Sequence, residues 1–332
     1  MNRRSLAKNS ILSLFAVALL GIYSCKQNPK KENAEETTAE VVVDEETKPD
    51  IKLSLAQWSL HKMILEEGVD PYTFAEKANE WGFEGLEYVS ALYYKELQPA
   101  NFSEEAMNNW VAISKAESEK YGLTNLLIMV DGQGDIAIED AAKRKEAVEN
   151  HYKWVDAAAA LGCHSIRVNL NGSMDPEVWM PASVDGLTQL ATYAKDKNIN
   201  IIVENHGGPS SNAEMLAEVM KQVGMENCGT LPDFGNFCIK REAGDYYSSA
   251  CLEEYDKYKG VKELMPYAKG VSAKSYSFDE EGYETRVDYP KMMDIVLESG
   301  YEGFVGVEYE GAELSEEEGI VATKKLIEKV LE

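Results

Sequence analysis

The chain has 332 residues, of which 58 are Asp or Glu and 33 are Lys or Arg, for a formal net charge of −25. Phosphate backbones are gripped by clustered positive charge, so this balance speaks against nucleic acid as a partner, and that class is set aside.

Residues 1–25, MNRRSLAKNSILSLFAVALLGIYSC, place Arg3, Arg4 and Lys8 ahead of an apolar run at 11–22. That order is the pattern of an export signal. The run falls short of the roughly 20 apolar residues that a spanning helix needs. It ends in Ile22, Tyr23, Ser24 and Cys25, which is similar to a lipobox. The expectation is an exported, membrane-anchored lipoprotein, at the periplasm or cell surface, with Cys25 as the lipidation site; an ordinary signal peptide with a coincidental cysteine is the alternative. The paired arginines in NRRSLAK also resemble a twin-arginine address for export of folded proteins. Residues 26–50, KQNPKKENAEETTAEVVVDEETKPD, have no periodic apolar face and read as a disordered, acidic tether, Val41, Val42 and Val43 being an isolated candidate strand.

From residue 51 onward, short β-rich apolar runs alternate with long amphipathic stretches. The predicted strands are IKLSLAQWS, GLEYV, NLLIMV, SIRVNL, INIIVEN, GTLPDF, GVSAKSY and FVGVEYE. Between them, apolar residues recur at three and four in stretches such as EEAMNNWVAISKAESEKY and AAKRKEAVENHYKWVDAAAAL, marking helices with one buried stripe. Such alternation predicts βα units and a parallel sheet, and eight strands close a barrel. Gly82, Gly122, Gly162 and Gly300 stand where helices hand over to strands, suited to a left-handed helix end. No Gly-rich phosphate loop follows the first strand, which argues against a doubly wound open sheet. The predicted fold is α/β, a single (β/α)8 barrel over residues 51–332. Cys163, Cys228, Cys238 and Cys251 could in principle pair outside the cytoplasm; Cys163 and Cys228 fall in or beside strands and read as small buried thiols, and no disulfide is assumed.

In such barrels the active site forms at the carboxyl ends of the strands. The fifth strand ends in Glu204, Asn205 and His206, and a period of two puts Glu204 and His206 on one inward face. The sixth ends in Asp233 and Asn236; the seventh carries Ser272 and Lys274 on one face; the eighth ends in Glu308, Tyr309 and Glu310. So many ionisable groups at one mouth must pair or bind a cation. An oxygen-rich set suits Mn²⁺ or Mg²⁺.

The series SLAQWSLH, IIVENHGG, LPDFGNF, GVSAKSY and GVEYEG, in this order over residues 51–332, resembles the sugar phosphate isomerase/epimerase family of xylose isomerase-like barrels. The resemblance implies a divalent metal held by Glu204, Asp233 and Glu308. The family's strand-seven histidine has no counterpart, because the usual His, any residue, Lys reads here Ser272, Ala273, Lys274. Two arrangements follow: a weakly held metal completed by water, Ser272 or His206, or Lys274 standing in as the fixed positive charge. It also implies proton transfer beside a carbonyl, in isomerisation, epimerisation, or keto-sugar elimination and hydration. Glu204 and Glu308 are then the acid–base pair, assisted by Lys274 and His206. Gln57, Trp58 and His61 at the end of the first strand, Glu87, Arg167, Asn169 and Asn236 on inner strands, and Trp179 in the loop SMDPEVWMP are the candidate substrate contacts. With no basic cluster in the sequence, a neutral sugar or keto-glycoside is the expected substrate. A non-catalytic sugar-binding lipoprotein is the rival reading. The apurinic endonuclease branch needs a His-rich site, and the chain has 4 histidines.

Overall fold

The computed structural model describes residues 50–332; the expected export signal, Cys25 and the tether lie outside the described residues. In chain order the strands are β1 (Ile51–Ala56), β2 (Gly85–Val89), β3 (Thr124–Val130), β4 (Ser165–Val168), β5 (Asn200–Glu204), β6 (Cys228–Leu231), β7 (Cys238–Arg241), β8 (Cys251–Glu254), β9 (Val271–Ser275) and β10 (Gly303–Tyr309). The helices are α1 (His61–Leu65), α2 (Phe74–Glu80), α3 (Tyr94–Leu97), α4 (Glu104–Tyr121), α5 (Ala141–Leu161), α6 (Pro176–Lys195), α7 (Ala213–Val223), α8 (Lys257–Leu264), α9 (Tyr289–Glu298) and α10 (Glu316–Leu331).

Eight strands form one parallel sheet in the order β6-β5-β4-β3-β2-β1-β10-β9. Its two edges meet through isolated bridges, Thr230 with Ala268 and Asp233 with Ser272. Ser272 N–H donates to Pro232 O at 2.9 Å, and Phe234 N–H to Ser272 O at 3.1 Å. This seam closes the predicted barrel. Helix starts are fixed by side-chain acceptors: Ser103 caps α4, Asp140 caps α5 and Asn212 caps α7, each satisfying a free N–H. Gly82, Gly122, Gly162 and Gly300, where helices hand over to strands, all have positive φ, from 68° to 89°. The core lies between sheet and helices, with Trp110, Trp154 and Trp179 fully buried. Among the described residues, no helix is long and apolar enough to cross a membrane.

The excursion between β6 and α8 departs from the regular βα pattern. There β7 and β8 pair antiparallel, and Cys238 and Cys251 form a disulfide with Cα atoms 5.8 Å apart. The sequence alone assumes no disulfide; the antiparallel hairpin, although it pairs Cys238 with Glu254 and Cys251 with Arg241, brings the two cysteines within bonding reach. Cys163 and Cys228 are free and buried, as expected.

Candidate functional site

A cavity of about 690 Å³ opens at the carboxyl ends of the barrel strands, and Trp58, Arg167, Asn169, Glu204, His206, Asn236 and Glu308 are among its lining residues. Asp233 and Lys274 lie beneath its floor, 0% and 1% exposed. The ligand oxygens of Glu204, Asp233 and Glu308 all lie within 4.8 Å of one another.

Hydrogen bonds hold this cluster in place. Asn205, buried at the end of β5, donates to Asp233 O at 3.0 Å and accepts from Asp233 N at 2.8 Å. Asp233 Oδ1 accepts from the N–H groups of Gly235 and Asn236 at 2.8 and 2.7 Å. Ser272 Oγ lies 2.8 Å from Asp233 Oδ2 and 3.0 Å from Glu308 Oε2. A hydroxyl has one proton, so both contacts are hydrogen bonds only if one carboxyl keeps a proton. Burial, with Glu204 and Glu310 adding to it, pushes Glu308 up to about 8 against the pull of Lys274; Asp233 is raised by burial to about 6. Both carboxyls are raised by burial, Glu308 further than Asp233, so Glu308 is the better holder of the retained proton.

Glu204 goes the other way. Burial alone would raise it, but neighbouring positive charge and the Asn236 amide leave it lowered. Burial holds His206 below its ordinary value, so at neutral pH Arg167 and Lys274 supply that charge. Asn236 Nδ2 donates to Glu204 Oε1 at 2.9 Å. Arg167 Nε sits 3.1 Å from Glu204 Oε2 without hydrogen-bond alignment, leaving that oxygen a lone pair to accept a proton.

One relay fixes the histidine tautomer. Asp131, at the end of β3, accepts from Arg167 at 3.0 Å and from Asn169 Nδ2 at 2.7 Å. A carboxylate only accepts, so the Asn169 amide must turn its oxygen toward His206, whose Nδ1 lies 2.9 Å away. Nδ1 then carries the proton and Nε2 is the acceptor. Tyr247 packs on the imidazole, ring centroids 4.7 Å apart.

The three carboxylates fit a hard divalent cation. In an octahedral shell with bonds of about 2.1 Å, neighbouring oxygens are about 3.0 Å apart and an opposed pair about 4.2 Å, so the three carboxylates would draw closer around an ion. Lys274 Nζ, 3.3 Å from Glu308 and 3.8 Å from Asp233, repels a second cation and weakens its binding. His206 is turned to Asn169 and supplies no ligand to this cluster.

The structure corrects four expected substrate contacts. Gln57 is fully buried; its amide bonds Tyr93, Pro71 O and Val89 N–H. It staples the end of β1 to β2. His61 does not line the cavity. It stacks on Trp58 at 4.6 Å and pairs with Glu316 at 3.2 Å, so it supports the Trp58 ring. Glu87 faces inward but too deep. It takes Ser54 Oγ at 2.6 Å, and a Cβ on Gly306 would lie 2.3 Å from its carboxyl oxygen, so glycine there makes its room. Trp179 is not in a loop: Asp175 caps α6 with Pro176 in its first turn, and the Trp179 indole is buried, bonding Leu170 O at 2.7 Å.

Several lining residues were not foreseen. Asp131 ends a strand, so the rule that found Glu204 would have found it. Tyr246, Tyr247 and Arg241 come from the β7–β8 hairpin, and Tyr276 and Arg286 from the segment after β9.

Residues 75–330 match the family model described as xylose isomerase-like TIM barrel. The chain belongs to that family. Solved structures share its fold at low identity. D-psicose 3-epimerase from Clostridium cellulolyticum H10, described with D-tagatose, is 15% identical with a TM-score of 0.60, covering 85% of this chain and 99% of that one. D-allulose 3-epimerase from Methylomonas sp. is 15% identical at 0.62, covering 85% and 98%. The IOLI protein with a zinc atom is 17% identical at 0.62, covering 84% and 98%. A comparison with curated proteins gave no match.

Proposed function

We propose that this family member is a sugar isomerase or epimerase that moves a proton at a carbon beside a carbonyl, on a ketose or keto-glycoside; elimination from or hydration of a keto-sugar would use the same first step. The observation that carries the reading is the pairing of Glu204 and Glu308 at the cavity floor. Their surroundings push them in opposite directions, Glu204 down and Glu308 up, and environments that push two carboxyl groups apart mark a base and an acid.

Glu204 Oε2 takes the C–H proton as the electron pair moves onto the carbonyl oxygen. Glu308, protonated while no cation is bound, delivers a proton to the enediolate; with a cation bound, Glu308 would first have to take that proton from substrate or solvent. Arg167 and Lys274 hold the summed carboxylate charge in check. His206 Nε2 and the Asn236 amide are placed to bind hydroxyls, and the Trp58 face to cover ring C–H groups. Glu204, Asp233 and Glu308 would hold a divalent cation, Mn²⁺ or Mg²⁺ by donor type, and its binding would displace the Glu308 proton. Such an ion would polarise the carbonyl.

The test is proton NMR in D2O over a panel of ketoses and keto-glycosides, with Mn²⁺ supplied. Wild type should place deuterium beside the carbonyl. Glu204→Gln and Glu308→Gln should slow this by about 10² to 10⁴, and Glu310→Gln by less. Sugar binding with no exchange, elimination or isomerisation would favour the rival binder, which the serine at position 272 supports. The proposed site of action is outside the cytoplasm, through a lipid on Cys25; Cys25→Ser should then release the protein from membranes.

A further inference from the structure

The described arginines divide sharply. Arg144 pairs with Asp185 at 2.7 Å, and Arg167 with Asp131 and Glu204. Arg241 and Arg286 have no carboxylate within ion-pair distance among the described residues, and both line the mouth cavity. In a chain with a net charge of −25, these two guanidiniums keep no carboxylate partner, and both open onto one cavity.

Each is held in place by its surroundings. Arg241 donates from Nε to Tyr246 O at 3.0 Å and from Nη1 to Ser249 O at 2.6 Å, leaving further N–H groups unused. Arg286 lies over the Tyr276 ring, 4.6 Å from its centroid. Its backbone is clamped by buried Glu284, which accepts from Tyr276 N at 3.2 Å, Ser277 N at 3.3 Å, Arg286 N at 2.5 Å and Val287 N. A carboxylate spent on four backbone donors leaves the guanidinium beside it free. The cavity is thus polarised. Its acids, Glu204, Glu308, Glu310 and Asp131, lie at strand ends with Arg167 and Lys274 in ion-pair contact among them, whereas Arg241 and Arg286 stand apart on the excursions after β6 and β9.

We propose that Arg241 and Arg286 form a carboxylate-binding subsite, and that the substrate is a sugar acid whose carbonyl end reaches the floor while its carboxylate faces these arginines. Planar guanidinium groups suit a carboxylate. This deepens the sugar isomerase reading and rests on it. It replaces the uncharged substrate expected from the sequence, where no linear basic cluster exists; folding brings both arginines to one cavity.

The experiment is calorimetric binding of a hexuronate and its parent hexose to the full chain, in low and high salt. Wild type should bind the hexuronate about tenfold or more tighter, and salt should reduce the difference. Arg286→Gln should remove most of that preference while leaving hexose binding within about twofold; its side chain makes only a ring contact, so the fold is spared. Arg241→Gln should act likewise. Arg286→Lys should recover part of it. Equal or weaker hexuronate binding by wild type, no hexuronate binding at millimolar concentration, or a preference untouched by Arg286→Gln would each overturn the subsite. Deuterium exchange into a neutral ketose would still stand if the subsite failed, so the two readings fail separately.

Discussion

Replacing Lys274 by methionine, which keeps length and removes charge, tests whether its ammonium is the fixed cation of the floor. Nζ lies 3.3 Å from Glu308, 3.5 Å from Glu310 and 3.8 Å from Asp233. At an effective dielectric near 20, each full charge pair is worth about 4 to 5 kcal/mol before desolvation. Glu308, raised to about 8, is mostly neutral at pH 7, so Asp233 and Glu310 are the anions left uncovered. A carboxyl escapes by taking a proton. Holding one protonated at pH 7 against an ordinary value near 4 costs about 4 kcal/mol, which caps the penalty per group. The expected loss is about 3 to 5 kcal/mol, the range for breaking a buried pair. The sign with pH follows: in the variant these carboxyls have raised folded values, so the penalty grows as pH rises from their unfolded values, is full only above the raised folded values, and fades as pH falls toward 4. Urea unfolding of both proteins at pH 7 and pH 5 measures it. A deficit under about 1 kcal/mol at pH 7, or one that does not shrink at pH 5, would refute the reasoning. Added Mn²⁺ should stabilise the variant more than wild type, because the competing ammonium is gone.

Ser272→His should tighten Mn²⁺ binding about tenfold or more by adding an imidazole beside Asp233 and Glu308; calorimetry showing no gain counts against the three-carboxylate set. His151 is buried and held by burial at about 4 against an ordinary 6.5, so its contribution is full above about 6.5 and is lost as pH falls toward 4. At pH 5 it should cost about 2 kcal/mol, and His151→Gln should flatten that part of the acid limb in urea titrations. Trp179→Ala should lose about 3 to 5 kcal/mol as a core truncation. Trp58→Ala should instead leave stability within about 1 kcal/mol and weaken sugar binding about three- to tenfold; the reverse pattern would restore Trp179 as a sugar platform.

The barrel was legible because period two and the amphipathic helices repeat along the whole region. Strand-end chemistry was legible wherever a polar residue closed an apolar run, as at Glu204, Asp233, Lys274 and Glu308. Depth was not. Period two says that Glu87 faces inward, but register against Ser54 and Gly306 decides that it stops below the cavity. The Gln57 amide reads alike whether it meets a sugar or Tyr93. Proline-flanked Trp179 read as loop, whereas Pro176 opens a helix. The hairpin escaped because β7 and β8 span four residues each and carry Lys240, Arg241, Glu253 and Glu254, with no apolar alternation to mark them.

The seam between β6 and β9 ties chemistry to architecture. Asp233 and Ser272 bridge backbone to backbone there, and their side chains touch as well. The last tooth of the zipper that shuts the cylinder is thus also a pair at the proposed site. Any replacement at either position is tested first by whether the wall still joins and only then by turnover, so inactive variants made there mix two kinds of failure unless their integrity is measured alongside.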